Sequence, residues 1–164
     1  MTYVRYIDKT REYYLSEGYG TPYQWARFDD APFTPLPRPL AECRVGLVTT
    51  SEMVIRRREH ELAAIEKDPM RPSYALPIDT PIADLYSRKA SYDRYATTLE
   101  DVGAYLPIAH LEQCVAEGRI AGVAPRFQVV QSQYSQRRTQ SVDAPQILAQ
   151  LREDRVDVAV LTAV

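Results

Sequence analysis

The sequence predicts an α/β fold: a single domain with an open, mainly parallel sheet flanked by helices, doubly wound and three-layered, behind an extended N-terminal arm rich in proline and aromatic residues. Three observations carry this. Runs of β-branched and small apolar residues, R-V-G-L-V-T-T at Arg44–Thr50 and R-V-D-V-A-V-L-T-A-V at Arg155–Val164, read as strands covered on both faces. Amphipathic helical segments alternate with them, the order of a parallel sheet with crossovers. Between Tyr19 and Leu40, Pro22, Pro32, Pro35, Pro37 and Pro39 exclude both a helix and a central strand.

Composition bounds the function before any motif does. The chain has 164 residues, 45% hydrophobic and 26% charged, with a formal net charge of -2. That is enough for one domain with a real core, and it carries no electrostatic bias towards nucleic acid or anionic lipid. No apolar run approaches the roughly 18 residues of a membrane span. The start, Met1 to Lys9, lacks the apolar core of a signal peptide, so the cytoplasm is the expected compartment. Cys43 and Cys114 have neither CxxC spacing nor a histidine cluster nearby, so no metal and no disulfide framework is expected, and no cofactor is indicated.

Taken in order, residues 1–43 form the arm and 44–164 the α/β domain. Tyr3–Ser16 is weakly helical and closed by Gly18 and Gly20. Trp25, Phe28 and Phe33 give the proline-rich strap apolar mass, which fits an arm laid over this domain or around a partner subunit. After the first strand, Ser51 is placed to cap a helix running to about Lys67, closed by Asp68 and Pro69; within it Arg56, Arg57 and Arg58 can pair with interleaved glutamates or hold an anion. Ser73–Ile78 is a short strand, followed by Thr80 as a helix cap with Pro81 in the first helical position. The polar stretch Tyr86–Tyr105 is too long for a bare connection.

Pro107 starts a helix to Glu117 with Ile108, Leu111 and Val115 on one face, and Gly118 ends it. Arg119–Pro125 reads as another short buried strand, and Arg126–Val142 as a polar excursion without periodicity. Asp143 and Gln146 have capping-box spacing before a helix that turns Ile147, Leu148 and Leu151 inward. The last stretch is expected to be the buried central strand, with the chain stopping where a doubly wound enzyme begins its site.

In such sheets ligands sit outside the carboxyl ends of the strands. The candidate ligand-binding residues are therefore Thr49, Thr50 and Ser51 after the first strand, Asp79 and Thr80 after the second, Tyr92 and Asp93 in the long polar stretch, and Arg126 after the third. Arg126 could clamp a carboxylate bidentately. The ordinary alternatives are helix caps for the hydroxyls and a surface ion pair for Arg126. No catalytic residue is singled out.

Seven blocks in order carry a resemblance that covers nearly the whole chain. They are P-Y-Q-W-A-R-F-D-D-A-P-F-T-P-L from Pro22, R-V-G-L-V-T-T from Arg44, I-D-T-P-I-A-D-L from Ile78, S-Y-D-R from Ser91, L-P-I-A-H-L from Leu106, A-E-G-R-I-A-G-V-A-P-R from Ala116 and L-R-E-D-R-V-D-V-A-V-L-T from Leu151. The pattern resembles the selenoprotein B family of glycine, sarcosine, betaine and D-proline reductases. The resemblance implies reductive cleavage of the bond between α-carbon and nitrogen, by a selenocysteine or cysteine just after the strand matching Val156–Thr162. Here the chain ends with that strand, Lys89 stands where the family shows a histidine ahead of Tyr92 and Asp93, Phe127 follows A-P-R in place of another histidine, and Gly103 replaces an asparagine.

With those imidazoles and the nucleophile absent, the expected role is a subunit of a reductase-like assembly that scaffolds a partner carrying the catalytic Cys or Sec, the ligand being a small amino acid or betaine. The alternatives are a self-sufficient oxidoreductase, or a truncated form of one, and a small-molecule-binding α/β protein with unrelated chemistry. The apolar terminal strand and the aromatic arm predict a homo- or hetro-oligomer rather than a stable monomer.

Overall fold

The computed structural model describes residues 6–22, 24, 26, 28–67, 72–89, 95, 98–131 and 135–164, which fall into two compact units, residues 1–34 and 35–164. In the first unit α1 (Tyr6–Ser16) ends on Gly18, whose φ is 86°. The Gly18 N–H donates to the Leu15 carbonyl and the Tyr19 N–H to that of Tyr14, while the Tyr14 and Tyr19 rings meet edge-on at 5.3 Å. Paired reverse bonds plus an apolar contact make a Schellman ending, which needs the left-handed residue that glycine supplies without strain. Phe28 and Phe33 are exposed, and Trp25 lies outside the described residues.

The second unit is an α/β domain with a mixed, mostly parallel sheet flanked by helices. Its elements are β1 (Arg44–Thr49), β2 (Met53–Ile55), α2 (Glu59–Lys67), β3 (Tyr74–Pro77), β4 (Leu85–Ser87), α3 (Ile108–Ala116), β5 (Gly122–Val123), β6 (Arg126–Val129), α4 (Gln136–Arg138), α5 (Ala144–Glu153) and β7 (Val158–Thr162). β1 is the axis. β7 runs parallel along one side of it, with Val45 opposite Val158 and Thr49 opposite Thr162. β5 and then β6 run parallel along the other side, and β3 lies antiparallel outside β6. A separate two-stranded ribbon pairs β2 with β4 antiparallel.

Alternation along β1 sends its side chains to two cores. On one face Leu47, Phe127 and Val129 pack with Met53, Ile55 and Leu85 of the ribbon and with Ile108 of α3. On the other, Val48 packs with Ile147 and Leu151 of α5. Gly46 faces α5 at close range: a Cβ there would stand 2.7 Å from Leu151 Cδ2 and 3.0 Å from Val156 Cγ1. α5 closes in a second Schellman ending, with Arg155 at φ 56° and the Val156 N–H donating to the Leu151 carbonyl. Asp157 then pins the amino end of β1, its carboxylate accepting from the Arg44 N–H at 2.8 Å and from Arg38 at 3.2 Å. Among the described residues no helix is long and apolar enough to cross a membrane.

The structure corrects several expectations. The terminal stretch is an edge strand and not the central one: among the described residues β7 pairs with β1 alone, and Leu161 is 75% exposed. The helix expected from Ser51 begins only at Glu59, because Met53, Val54 and Ile55 are a buried strand entered at Glu52 (φ 50°) and left at Arg57 (φ 67°). The supposed polar excursion after Arg126 contains β6, with Phe127 and Val129 fully buried, and then α4 and a π-helical turn, Thr139–Asp143, that leads into α5. Asp143 is therefore inside a helical run and caps nothing; it is buried in an ion pair with Arg138 at 3.3 Å. Leu148 is 47% exposed and not part of the core. Pro81 precedes only the 3-10 turn Ile82–Asp84, and Thr80 turns its hydroxyl back to the Pro77 carbonyl. The expected helix stop at Asp68 and Pro69 lies outside the described residues.

Candidate functional site

β1, β6 and β7 are parallel and end level with one another, Thr49 opposite both Val129 and Thr162. That shared carboxyl edge collects hydroxyls. Thr49 is fully buried, and its Oγ1 is 2.8 Å from the Ser51 Oγ. Thr162 Oγ1 donates to the Tyr105 carbonyl at 2.7 Å, and the Thr49 hydroxyl donates to the same oxygen at 3.3 Å. The segment before α3 is thereby tied to the ends of two strands. Thr50 continues the pairing through its N–H to the Thr162 carbonyl, and its Oγ1 accepts from the Val164 N–H.

The ribbon brings a cation to this edge. Met53 lies opposite Ser87, so the chain leaving β4 passes back over Ser51, where the Ser87 hydroxyl donates to the Ser51 carbonyl and accepts from the Lys89 N–H. Lys89 is 5% exposed, and its Nζ donates to the Thr50 carbonyl at 3.4 Å. Taking an ammonium out of water is costly, so its burial at the strand ends marks Lys89 as a candidate functional residue.

The predicted candidates separate into two groups. Thr49, Thr50 and Ser51 are together at the carboxyl edge. Arg126 is not: it opens β6, three residues before Val129, so it lies about 10 Å away at the amino edge, by the 3.3 Å rise of a strand residue. Its guanidinium is engaged by the Asp154 carboxylate at 2.8 Å and by that of Glu153, both of which raise its pKa. A cleft of about 440 Å³ borders it, but two carboxylates against one guanidinium give that wall a net negative charge. Asp79 and Thr80 also lie at the amino edge, because β3 runs antiparallel and Pro77 is opposite Arg126. Tyr92 and Asp93 lie outside the described residues.

Neither cysteine is at the carboxyl edge. Cys43 precedes β1 at the amino edge, fully buried, its thiol directed to the Arg38 and Pro39 carbonyls at 3.5 Å. Cys114 is inside α3. Among the described residues no group of three histidine, cysteine or carboxylate side chains is placed to hold a metal. Ser87 and Thr162 were not singled out by sequence reasoning, and Lys89 was named only as standing in place of a histidine of the resembled family; the pairing of β2 with β4 carries the chain to the position where Lys89 is buried. Compared with family models, curated proteins and solved structures, the chain matches none.

Proposed function

We propose that this chain is the ligand-holding subunit of a reductase-like assembly, binding the carboxylate of a small amino acid or betaine at the carboxyl edge of its sheet while a partner chain supplies the thiolate or selenolate. The observation that carries the reading is the buried Lys89, whose Nζ donates to the Thr50 carbonyl at the strand ends where the hydroxyls of Thr49, Ser51 and Ser87 gather. An ammonium taken out of water attracts a carboxylate more strongly than an exposed one does. The partner enters because reductive cleavage of a bond between carbon and nitrogen needs a nucleophile, and both thiols of this chain lie away from the edge.

The division of labour has a direct test. Glycine betaine and choline share the quaternary ammonium, and only betaine carries a carboxylate. Calorimetry on the purified chain is expected to show saturable betaine binding and at least tenfold weaker choline binding. Equal affinities, or no heat from either, would remove the carboxylate site from the account.

A further inference from the structure

A second cleft, of about 490 Å³, opens at the far end of the ribbon and shares no residue with the carboxyl edge. Its lining includes the apolar side chains Ile82, Leu85 and Val102 and, from three segments, four charged or titratable ones: Arg56 from the turn after β2, Glu100 and Asp101 before the 3-10 turn Val102–Ala104, and His110 from the first turn of α3. Arg56 is built into place. Its N–H donates to the Asp84 carbonyl at 2.7 Å, its Nε donates to the Ala83 carbonyl at 3.2 Å, and its guanidinium stands 4.9 Å from the centre of the Tyr86 ring. That anchoring uses Nε and a ring face, and the Glu59 carboxylate, which accepts from the Tyr86 hydroxyl, also feels the Arg56 charge; among the described residues neither terminal amino group of the fork makes a hydrogen bond, so both can serve a ligand.

Gly103 lines the same cleft beside Asp101 and His110. A Cβ on Gly103 would stand 3.1 Å from the Asp101 carboxylate and 3.9 Å from the His110 ring. The Gly103 backbone does not require glycine through a positive φ, so what the residue supplies here is room. An anchored cation and a pair of carboxylates around an apolar lining are complementary to a molecule with an anionic end, a cationic end and an apolar body. A simple anion meets Glu100 and Asp101, and a simple cation meets Arg56.

From this the geometry points to a second binding site, for a free aliphatic amino acid, with its carboxylate on Arg56, its ammonium on Asp101 and its side chain against Ile82, Leu85 and Val102. Ligand occupancy would bridge the turn after β2 to the segment before α3, the same segment whose Tyr105 carbonyl holds the ends of β1 and β7. The site is thus placed to sense an amino acid and report to the sheet edge.

The test is titration of the full chain, followed by NMR chemical-shift changes, with L-leucine, with isovalerate, which lacks the ammonium, and with isopentylamine, which lacks the carboxylate. Leucine is expected to bind with each fragment at least tenfold weaker. Arg56→Gln and Asp101→Asn should each weaken leucine tenfold or more, as should Gly103→Val, which fills the space and leaves every charge in place. The titrations are repeated in a Lys89→Gln background, where the carboxyl edge has lost its cation, so that a leucine response at Gly103 and His110 belongs to this site. Isovalerate or isopentylamine binding as tightly as leucine would overturn the assignment in favour of a plain anion or cation site. No binding by leucine, or binding that survives Gly103→Val, would overturn it outright.

Discussion

Replacing Gly46 by alanine sets two effects against each other, and the structure decides which wins. Gly46 lies in the central strand without a positive φ, so alanine fits the backbone and, by restricting the unfolded chain, would alone stabilise the fold by about 0.4–1 kcal/mol. The new methyl, however, would stand 2.7 Å from Leu151 Cδ2 and 3.0 and 3.2 Å from the two Val156 methyls. Those neighbours cannot both retreat, since Leu151 is packed against Val48 and the Val156 N–H is bonded to the Leu151 carbonyl. Overpacking of this kind costs about 1–3 kcal/mol. Set against the backbone gain this leaves a net cost of up to about 2.6 kcal/mol, so at roughly 2–4 °C per kcal/mol for a domain of this size Gly46→Ala should lower the melting temperature by up to about 10 °C. The reasoning is refined by a double-mutant cycle read by urea denaturation. In a Leu151→Ala background the same substitution should cost at least about 1 kcal/mol less, because its closest opponent is gone. A stabilised Gly46→Ala, or strict additivity with Leu151→Ala, would refute the packing of α5 on β1 as described.

Further outcomes follow from other contacts. Arg155 holds the left-handed position of the α5 ending at φ 56°, so Arg155→Gly should raise stability by about 0.5–1 kcal/mol, seen as a small upward shift of the melt. Arg126→Ala should leave betaine binding within twofold of wild type while lowering stability by about 0.5–1.5 kcal/mol, since its partners are Asp154 and Glu153; a tenfold loss of affinity would return Arg126 to the ligand site. The β7 edge, V-A-V-L-T, carries no charge to discourage pairing, so light scattering at micromolar concentration should show a mass above 18.7 kDa. Leu161→Lys, on the exposed side chain of that edge, should shift the population towards the single chain; a clean monomer in the wild type would count against the edge as an interface.

What the sequence made legible was local. β1 is legible because its apolar run is uninterrupted, and α1 and α3 because Gly18 and Gly118 end them in the left-handed conformation. β6 was hidden by its brevity and by Gln128, a buried polar residue in the middle of four. β2 was hidden by the charged residues on both sides of it, which look helical until Met53–Ile55 pair with β4. The site was half legible for the same reason. Thr49, Thr50 and Ser51 follow an obvious strand, whereas placing Asp79, Thr80 and Arg126 needed the direction of β3 and the true start of β6, which are tertiary facts. Lys89 was visible in the sequence only as a departure from the resembled family, because its burial goes with a strand pairing more than thirty residues apart in the chain.

The carboxylate site at the sheet edge is tested most directly by measuring betaine binding to wild type and to Lys89→Gln side by side, with circular dichroism of each to establish that the fold is kept. A charged contact in a buried site is worth roughly 1.5–3 kcal/mol, so the substitution should weaken betaine about ten- to a hundredfold while leaving the spectrum unchanged. Equal affinities in two equally folded proteins would contradict the account.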